Sequence, residues 1–483
     1  MSAEAERRSG ESNFAVLSVE KCERIHRASL RILAETGVRL YAPEAVALLR
    51  GGGAQALGDD LVLVPPELVE WALRAAPAEV TLHDRAGHPA LHLRGRNVYF
   101  GTGSDCPFIL DSRTGERRPF TRRDVEQGIT LCDHLRNIDF VLSIGLISDV
   151  PIGVSDLHQF EAMVLNTTKP VVFTAHDLRN CETIIRMADC VAGGADALGT
   201  RPSVAYFAEV DCPLKYAAET CRKVLLMAER RLPVILGAGP MMGATGPQTH
   251  AGALALANAE CLAGIVMAQL KREGAPVICG LGIHPFDMRS AILPYGAPEL
   301  FLNTAAAADL ARFYGLPTWG YAGCGDAKLL DQQSAVEITA SVLMSLLSGA
   351  NLVHDVGYLE SGLVGSFDAI VLADSVIEMG RQLVKSIDVD DETLALDVVH
   401  AVGHDGNYLE AEHTLRHFRE VWYPGLFDRR KVEDWVKDGR LTMGERVADE
   451  VRRILETHAP PVLPEEVRKE LRRLVSRAEA EVK

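Results

Sequence analysis

Eight short apolar runs, each followed by a helix-length segment, constrain this chain more than any other feature. The runs lie at 98–101, 140–145, 171–174, 204–208, 234–237, 277–280, 318–320 and 352–354. The segments that follow lie at 122–136, 155–168, 179–192, 215–230, 249–272, 297–314, 330–348 and 366–384. The runs are nearly continuous in hydrophobicity, as parallel strands covered on both faces require. Eight such units over residues 96–385 predict an α/β fold, a TIM (β/α)8 barrel. A doubly wound open sheet is the alternative. It does not require eight units, and no GxGxxG with a downstream acid stands in the right place.

Two flanking regions differ in pattern. Residues 1–95 predict a small N-terminal α/β region. Ser18 caps a helix running to about Thr36, with Gly37 as the stop, and a second helix over 43–50 ends in Gly51-Gly52-Gly53. Strands at 61–64 and 80–83 flank a helix at 66–75. Residues 386–483 predict a helical C-terminal extension packed on the barrel, with helices near 391–401, 428–438, 443–457 and 465–482.

Charge and cysteine usage narrow the setting. The formal charge of −16 makes nucleic acid and anionic membranes poor partners. The stretch 251–270 is apolar, but Asn258, Glu260 and Gln269 interrupt it, so it reads as a buried helix rather than a membrane span. No apolar secretory region is visible at the N-terminus, and the ten cysteines include no CxxC pair, so a reducing cytoplasm is expected. Small-residue helix faces such as 251–268 suit barrel packing or the contacts of a homo-oligomer.

Barrel chemistry sits at the C-terminal ends of the strands. These ends read GTGSD (101–105), GLISD (145–149), TAHD (174–177), AEVD (208–211), GAGPMMGATG (237–246), GLGIHPFD (280–287), GYAGCGDAK (320–328) and HDVGY (354–358). Helix N-termini on the same face also favour acids, so a single Asp here reads first as a cap. Aromatic residues are more selective: they form 6% of the chain, yet Phe100, Phe173, Tyr206, Phe207, Trp319, Tyr321 and Tyr358 fall at or just beyond strand ends. Rings beside carboxylates suit a quaternary ammonium, each ring face contributing about 0.5–2 kcal/mol to a cation. An aromatic wall of Phe207, Trp319, Tyr321 and Tyr358 is expected, with Asp105, Glu209 or Asp326 offsetting the charge. His284 or His354 would hold a substrate carboxylate. His176, His284 and His354, with Cys212, Cys279 and Cys324, supply pieces of a zinc site, but no spacing demands one and no metal is expected. The pairs His400/His404 and His413/His417 lack HExxH and read as structural. The Gly-rich loop at 237–246 lacks the P-loop pattern.

Several runs carry a family resemblance. Gly243-Ala244-Thr245-Gly246-Pro247 continuing into AGALALANAECLAGIVMAQL resembles a signature of the trimethylamine methyltransferase (MttB-like) family. So do YFGTGSDCPFILDSRTGERRPFT (99–121), YAGCGDAKLLDQQSAVE (321–337) and GHDGNYLEAEHTLRHFREVWYPGLFDR (403–429). The resemblance runs from about residue 14 to 457. It implies a corrinoid-dependent methyltransferase that moves a methyl group from a methylated amine to Co(I) of a separate corrinoid protein docked over the barrel mouth. Gly243, Ala244 and Thr245 would lie where the corrinoid approaches. Family members acting on trimethylamine carry pyrrolysine, which this sequence lacks. The resemblance therefore points to the pyrrolysine-free relatives acting on quaternary amines such as glycine betaine. Two alternatives stay open: zinc-assisted methyl transfer from a thiol or alcohol, and a non-catalytic protein that binds a quaternary amine. A Schiff-base lyase would need a lysine such as Lys215 or Lys328 at a strand end.

Overall fold

The structure, a computed structural model, describes residues 14–482. Seven strands form one parallel sheet: β1 (Tyr99–Phe100), β2 (Val171–Phe173), β3 (Val204–Val210), β4 (Val234–Ala238), β5 (Val277–Leu281), β6 (Thr318–Tyr321) and β7 (Leu352–His354). Their spatial order is β1-β7-β6-β5-β4-β3-β2, so each strand from β2 onward lies beside its successor. All six pairings are parallel. The two edges, β1 and β2, are linked through residues 140–141. Phe140 bridges Gly101 and Val141 bridges Val171, both in parallel sense.

The run at 140–145 therefore does not form the regular strand expected of it. The Thr102 hydroxyl donates to the Leu142 carbonyl (2.7 Å) and accepts from the Leu142 amide (2.9 Å), taking groups a neighbouring strand would use. Two residues on, Ile144 adopts φ 69°, which ends the extended conformation.

All eight expected helices form: α1 (Arg122–His134), α2 (Ser155–Asn166), α3 (Leu178–Ala192), α4 (Ala218–Glu229), α5 (His250–Lys271), α6 (Pro298–Tyr314), α7 (Gln332–Ser348) and α8 (Phe367–Leu383). Alternation along each strand separates two cores. In β3, Val204, Tyr206 and Ala208 pack outward under the helices, whereas Ala205 and Phe207 point inward. The inner core gathers Tyr99, Phe140, Leu142, Val172, Ala205, Ile235, Ile278, Trp319 and Leu352. Phe207 finds space because β4 has a glycine two residues beyond its partner Ile235; a Cβ at Gly237 would lie 2.6 Å from the Phe207 ring. A hairpin of Val80–His83 and Pro89–Leu93 adds Val80, Leu82, Leu91 and Leu93 to this inner core. It closes the N-terminal end of the sheet, so the interior opens only toward the C-terminal ends of the strands.

Helix α5 is long and apolar enough to cross a membrane, but it is buried among the N-terminal helices, β4 and β5. Its polar residues are bonded within the protein. Asn258 donates to the Ser29 and Tyr314 hydroxyls (2.9 Å each), Glu260 accepts the Leu214 amide (2.7 Å) and Gln269 donates to the Ala275 carbonyl (2.8 Å). In the N-terminal region Ser18 caps a helix over Val19–Arg31, which continues as a wider π turn over Ile32–Thr36 to Gly37 at φ 79°. At the other end, helices Met443–Thr457 and Glu465–Val482 pack on α8 and α1 and on α3 and α2, respectively. Between them and α8 lie short helices, Asp391–Leu394, Leu396–Val402, Glu412–His417 and Val432–Lys437, more broken than expected and with no buried residue.

Candidate active site

The inward positions next above the inner core form the site. Trp319 is fully buried and forms its floor, with Phe207 stacked on it (centroids 5.4 Å apart, 27° between planes). The His354 ring lies 4.1 Å from Trp319, and Tyr321 lies 4.4 Å from His354. Tyr321 meets His284 edge-on at 5.1 Å, His284 meets Tyr295 at 5.0 Å, and Tyr295 meets Tyr358 at 6.4 Å. Four strand ends and one loop thus contribute a continuous chain of rings. Two absent side chains make room for it. A Cβ at Gly282 would lie 2.1 Å from the Tyr321 hydroxyl, and one at Gly103 would lie 2.1 Å from the Tyr358 hydroxyl. By contrast Phe100, Phe173 and Tyr206 face the helices and line no site.

Three carboxylates accompany the rings. The Tyr358 hydroxyl donates to Asp105 Oδ1 (2.6 Å) and accepts the Asp105 amide (2.9 Å). Asp355, one residue past β7, takes φ 72° and lies 3.3 Å from His354 Nε2. Glu209 is the next inward position after Phe207 on β3. Asp105 and Glu209 keep solvent-accessible surface while protein surrounds them closely, so they line a recess. Burial raises all three carboxyls. Mutual repulsion adds to this: Asp105 and Glu209 push Asp355 up, and Asp105 and Asp211 push Glu209 up. Among the described residues, no lysine or arginine forms an ion pair with any of the three.

The histidines are neutral. His284 Nδ1–H donates to the Gly282 carbonyl (2.9 Å) and His354 Nδ1–H to the Gly320 carbonyl (2.8 Å). Burial lowers His284 to about 4 and His354 to about 3. Each Nε2 is therefore a lone pair: that of His284 is buried without a partner, and that of His354 faces Asp355 Oδ1 at 3.3 Å, a contact that favours a proton on the Asp355 carboxyl. A lone pair repels a carboxylate, so the expected grip of these two residues on a substrate carboxylate is absent from this geometry.

Asp326 also differs from expectation. Its oxygens accept the Tyr295 amide (2.7 Å), the Gly296 amide (3.0 Å) and the Ser361 hydroxyl (2.8 Å). It clamps the loop that carries Tyr295, and the third acid beside the rings is the buried Asp355. Other strand-end acids are caps and turn acceptors: Asp177 accepts the Asn180 amide, Asp149 the Arg122 amide and Asp211 the Ala217 amide.

The loop Gly243-Ala244-Thr245 is exposed or partly exposed beyond β4. The Ala244, Thr245 and Gly246 amides all point to the Met241 carbonyl (3.0 Å each), so the loop is a closed turn with no free nest of donors. The strand-end histidines and cysteines do not converge. Among the described residues, the one group of potential metal ligands with atoms within 4.8 Å of one another is Glu392, His413 and His417, outside the sheet.

Tyr295 and Asp355 escape the sequence reading for different reasons. Tyr295 reaches the site from the long loop between β5 and α6, which no strand-end rule locates. Asp355 stands in HDVGY beside His354, where a single strand-end acid reads first as a cap.

A family model for trimethylamine methyltransferase (MTTB) matches residues 3–483. The chain belongs to the trimethylamine methyltransferase family. It is 34% identical over 469 residues to a protein named trimethylamine methyltransferase MttB from Desulfitobacterium hafniense, covering 97% of this chain and 95% of the relative. It is 32% identical over 474 residues to a glycine betaine methyltransferase from another strain of that species, covering 97% and 98%. Its fold is similar to that of the Methanosarcina barkeri monomethylamine methyltransferase MtmB, with a TM-score of 0.50 at 12% identity over 92% of this chain and 89% of that one. As a member of this family the chain is a methyltransferase, and the ring-lined recess is its candidate active site.

Proposed function

We propose that this family member transfers a methyl group from a quaternary amine to the Co(I) of a separate corrinoid protein. The observation that carries the reading is the recess itself: five clustered aromatic side chains and three carboxyls with no lysine or arginine partner among the described residues, at the strand ends of a methyltransferase. Relatives named for trimethylamine and glycine betaine support an onium-type substrate.

The residues supply binding and orientation. Phe207, Tyr295 and the small exposed part of Tyr321 face the methyl groups, backed by the buried Tyr358 and the Trp319 floor. Asp105 and Glu209 offset the positive charge, with Asp355 buried behind them. A quaternary ammonium leaves as a neutral tertiary amine when its N–C bond breaks, so this chain needs no general acid. The corrinoid supplies the nucleophile, and the barrel's task is to fix the methyl carbon for in-line approach.

We read the seven-stranded sheet, with its link through residues 140–141, as a closed (β/α)8 barrel. The partner docks over the C-terminal rim, where the closed turn at Gly243-Ala244-Thr245 offers shape rather than hydrogen-bond donors. The test is product analysis by mass spectrometry with a panel of quaternary amines. Tertiary amine should appear only when reduced corrinoid protein is present; its absence with every quaternary amine tested would overturn the reading.

A further inference from the structure

We infer that the recess selects onium substrates with no anionic group beside the cation, so that choline and tetramethylammonium are held more tightly than glycine betaine. This rests on the reading above that the recess takes an onium substrate.

The charge inventory of the recess carries the inference. Asp105 and Glu209 line it with Asp355 buried beside His354 behind them, and none has a lysine or arginine partner among the described residues. Lys223 is the one cation acting on Glu209, and its ammonium is bonded to the Ala175 and His176 carbonyls. The cation is therefore committed elsewhere.

Donors for a substrate carboxylate are equally scarce. His284 and His354 present lone pairs, because each has committed its Nδ1–H to a backbone carbonyl. The Tyr358 proton is committed to Asp105. The indole N–H of Trp319 has no partner, but the ring is 1% exposed within the apolar inner core. Of the ring-wall side chains, the Tyr295 and Tyr321 hydroxyls remain as donors, set against the Asp105 and Glu209 carboxyls and the unpartnered lone pair of His284. Like charges a few ångströms apart in a recess of reduced dielectric repel by kilocalories rather than tenths.

In glycine betaine a single methylene separates the ammonium from the carboxylate. The two charges must enter together, so the anion comes within a few ångströms of the same acids that attract the cation. A cation with a neutral tail meets only attraction. The unpartnered Nε2 of His284 points the same way, since a lone pair accepts a hydroxyl proton such as that of choline but repels an anion.

Isothermal titration calorimetry on the full chain tests this with tetramethylammonium, choline, glycine betaine and glycine betaine amide. The last two have nearly the same shape and differ in the anionic charge. The amide and choline should bind at least about tenfold more tightly than glycine betaine. Glu209→Gln should narrow that gap, because it removes part of the repulsion. Equal or tighter binding of glycine betaine relative to its amide would overturn the selectivity while leaving the onium reading intact. No binding by any of the four would overturn the onium reading and this inference with it.

Discussion

Tyr358 and Asp105 lock two neighbouring strand ends together: the phenol donates to the carboxylate at 2.6 Å and accepts the Asp105 amide at 2.9 Å. The pair joins the loop after β7 to the loop after β1. It is also the one hydrogen bond from a neighbouring side chain that favours the charged form of a recess carboxyl. Tyr358→Phe keeps the ring and removes that bond. Charge-assisted hydrogen bonds contribute about 1.5–3 kcal/mol, so affinity for tetramethylammonium should fall by about tenfold or more. Calorimetry on the variant checks this, and an unchanged affinity would show that Asp105 is ionised without help.

Onium affinity should rise with pH. Asp105, Glu209 and Asp355 all have carboxyls raised above their ordinary values. At low pH they are protonated and offer no counter-charge; as pH rises through the raised values they ionise and attraction grows. Asp211 holds Glu209 up and Lys223 draws it down, while His284 and His354 stay neutral above about 4. Titrations with tetramethylammonium between about pH 5 and about pH 8, in buffers of different ionisation enthalpy, should show tighter binding and proton release. A flat profile with no proton release would contradict the assignment of these acids.

Tyr321 separates the ring from the hydroxyl. Its ring touches both His354 and His284. Tyr321→Leu removes the π face and should weaken onium binding by about 0.5–2 kcal/mol, a factor of about 2–30. Tyr321→Phe should change it by less than about threefold. Equal losses in both variants would assign the contribution to the hydroxyl and not to the ring.

Asp326 should act through Tyr295. Asp326→Ala frees the Tyr295 and Gly296 amides and the Ser361 hydroxyl. Unfolding free energy should fall by about 1–3 kcal/mol. Hydrogen exchange at the 295–296 amides should accelerate, and substrate KM should rise more than kcat falls. Unaltered exchange at these amides would remove the clamp from the account.

The βα rhythm was readable because buried parallel strands advertise themselves as unbroken apolar runs. Seven of the eight runs became strands at nearly the expected bounds. The run at 140–145 failed through two local facts that hydrophobicity does not encode, the Thr102 side chain bonding to Leu142 and the left-handed Ile144. The ring wall was legible in Phe207, Trp319, Tyr321 and Tyr358 because inward positions alternate along a strand. Roles for the polar residues were not. Asp326 and Asp105 look alike in sequence, each a few residues past a strand, and only the folded loops decide that one clamps a backbone and the other lines the recess. The state of His284 and His354 depends likewise on which carbonyl each ring nitrogen meets.

The most direct measurement is anaerobic visible spectroscopy of a single turnover with a reduced corrinoid protein of the same family system. Choline, tetramethylammonium and glycine betaine would be added in turn. The account predicts loss of the Co(I) band and appearance of methylated corrinoid, with one tertiary amine released per methyl transferred, and faster for the two substrates without a carboxylate. An unchanged Co(I) band with every quaternary amine, using a corrinoid protein shown to accept methyl groups, would contradict it.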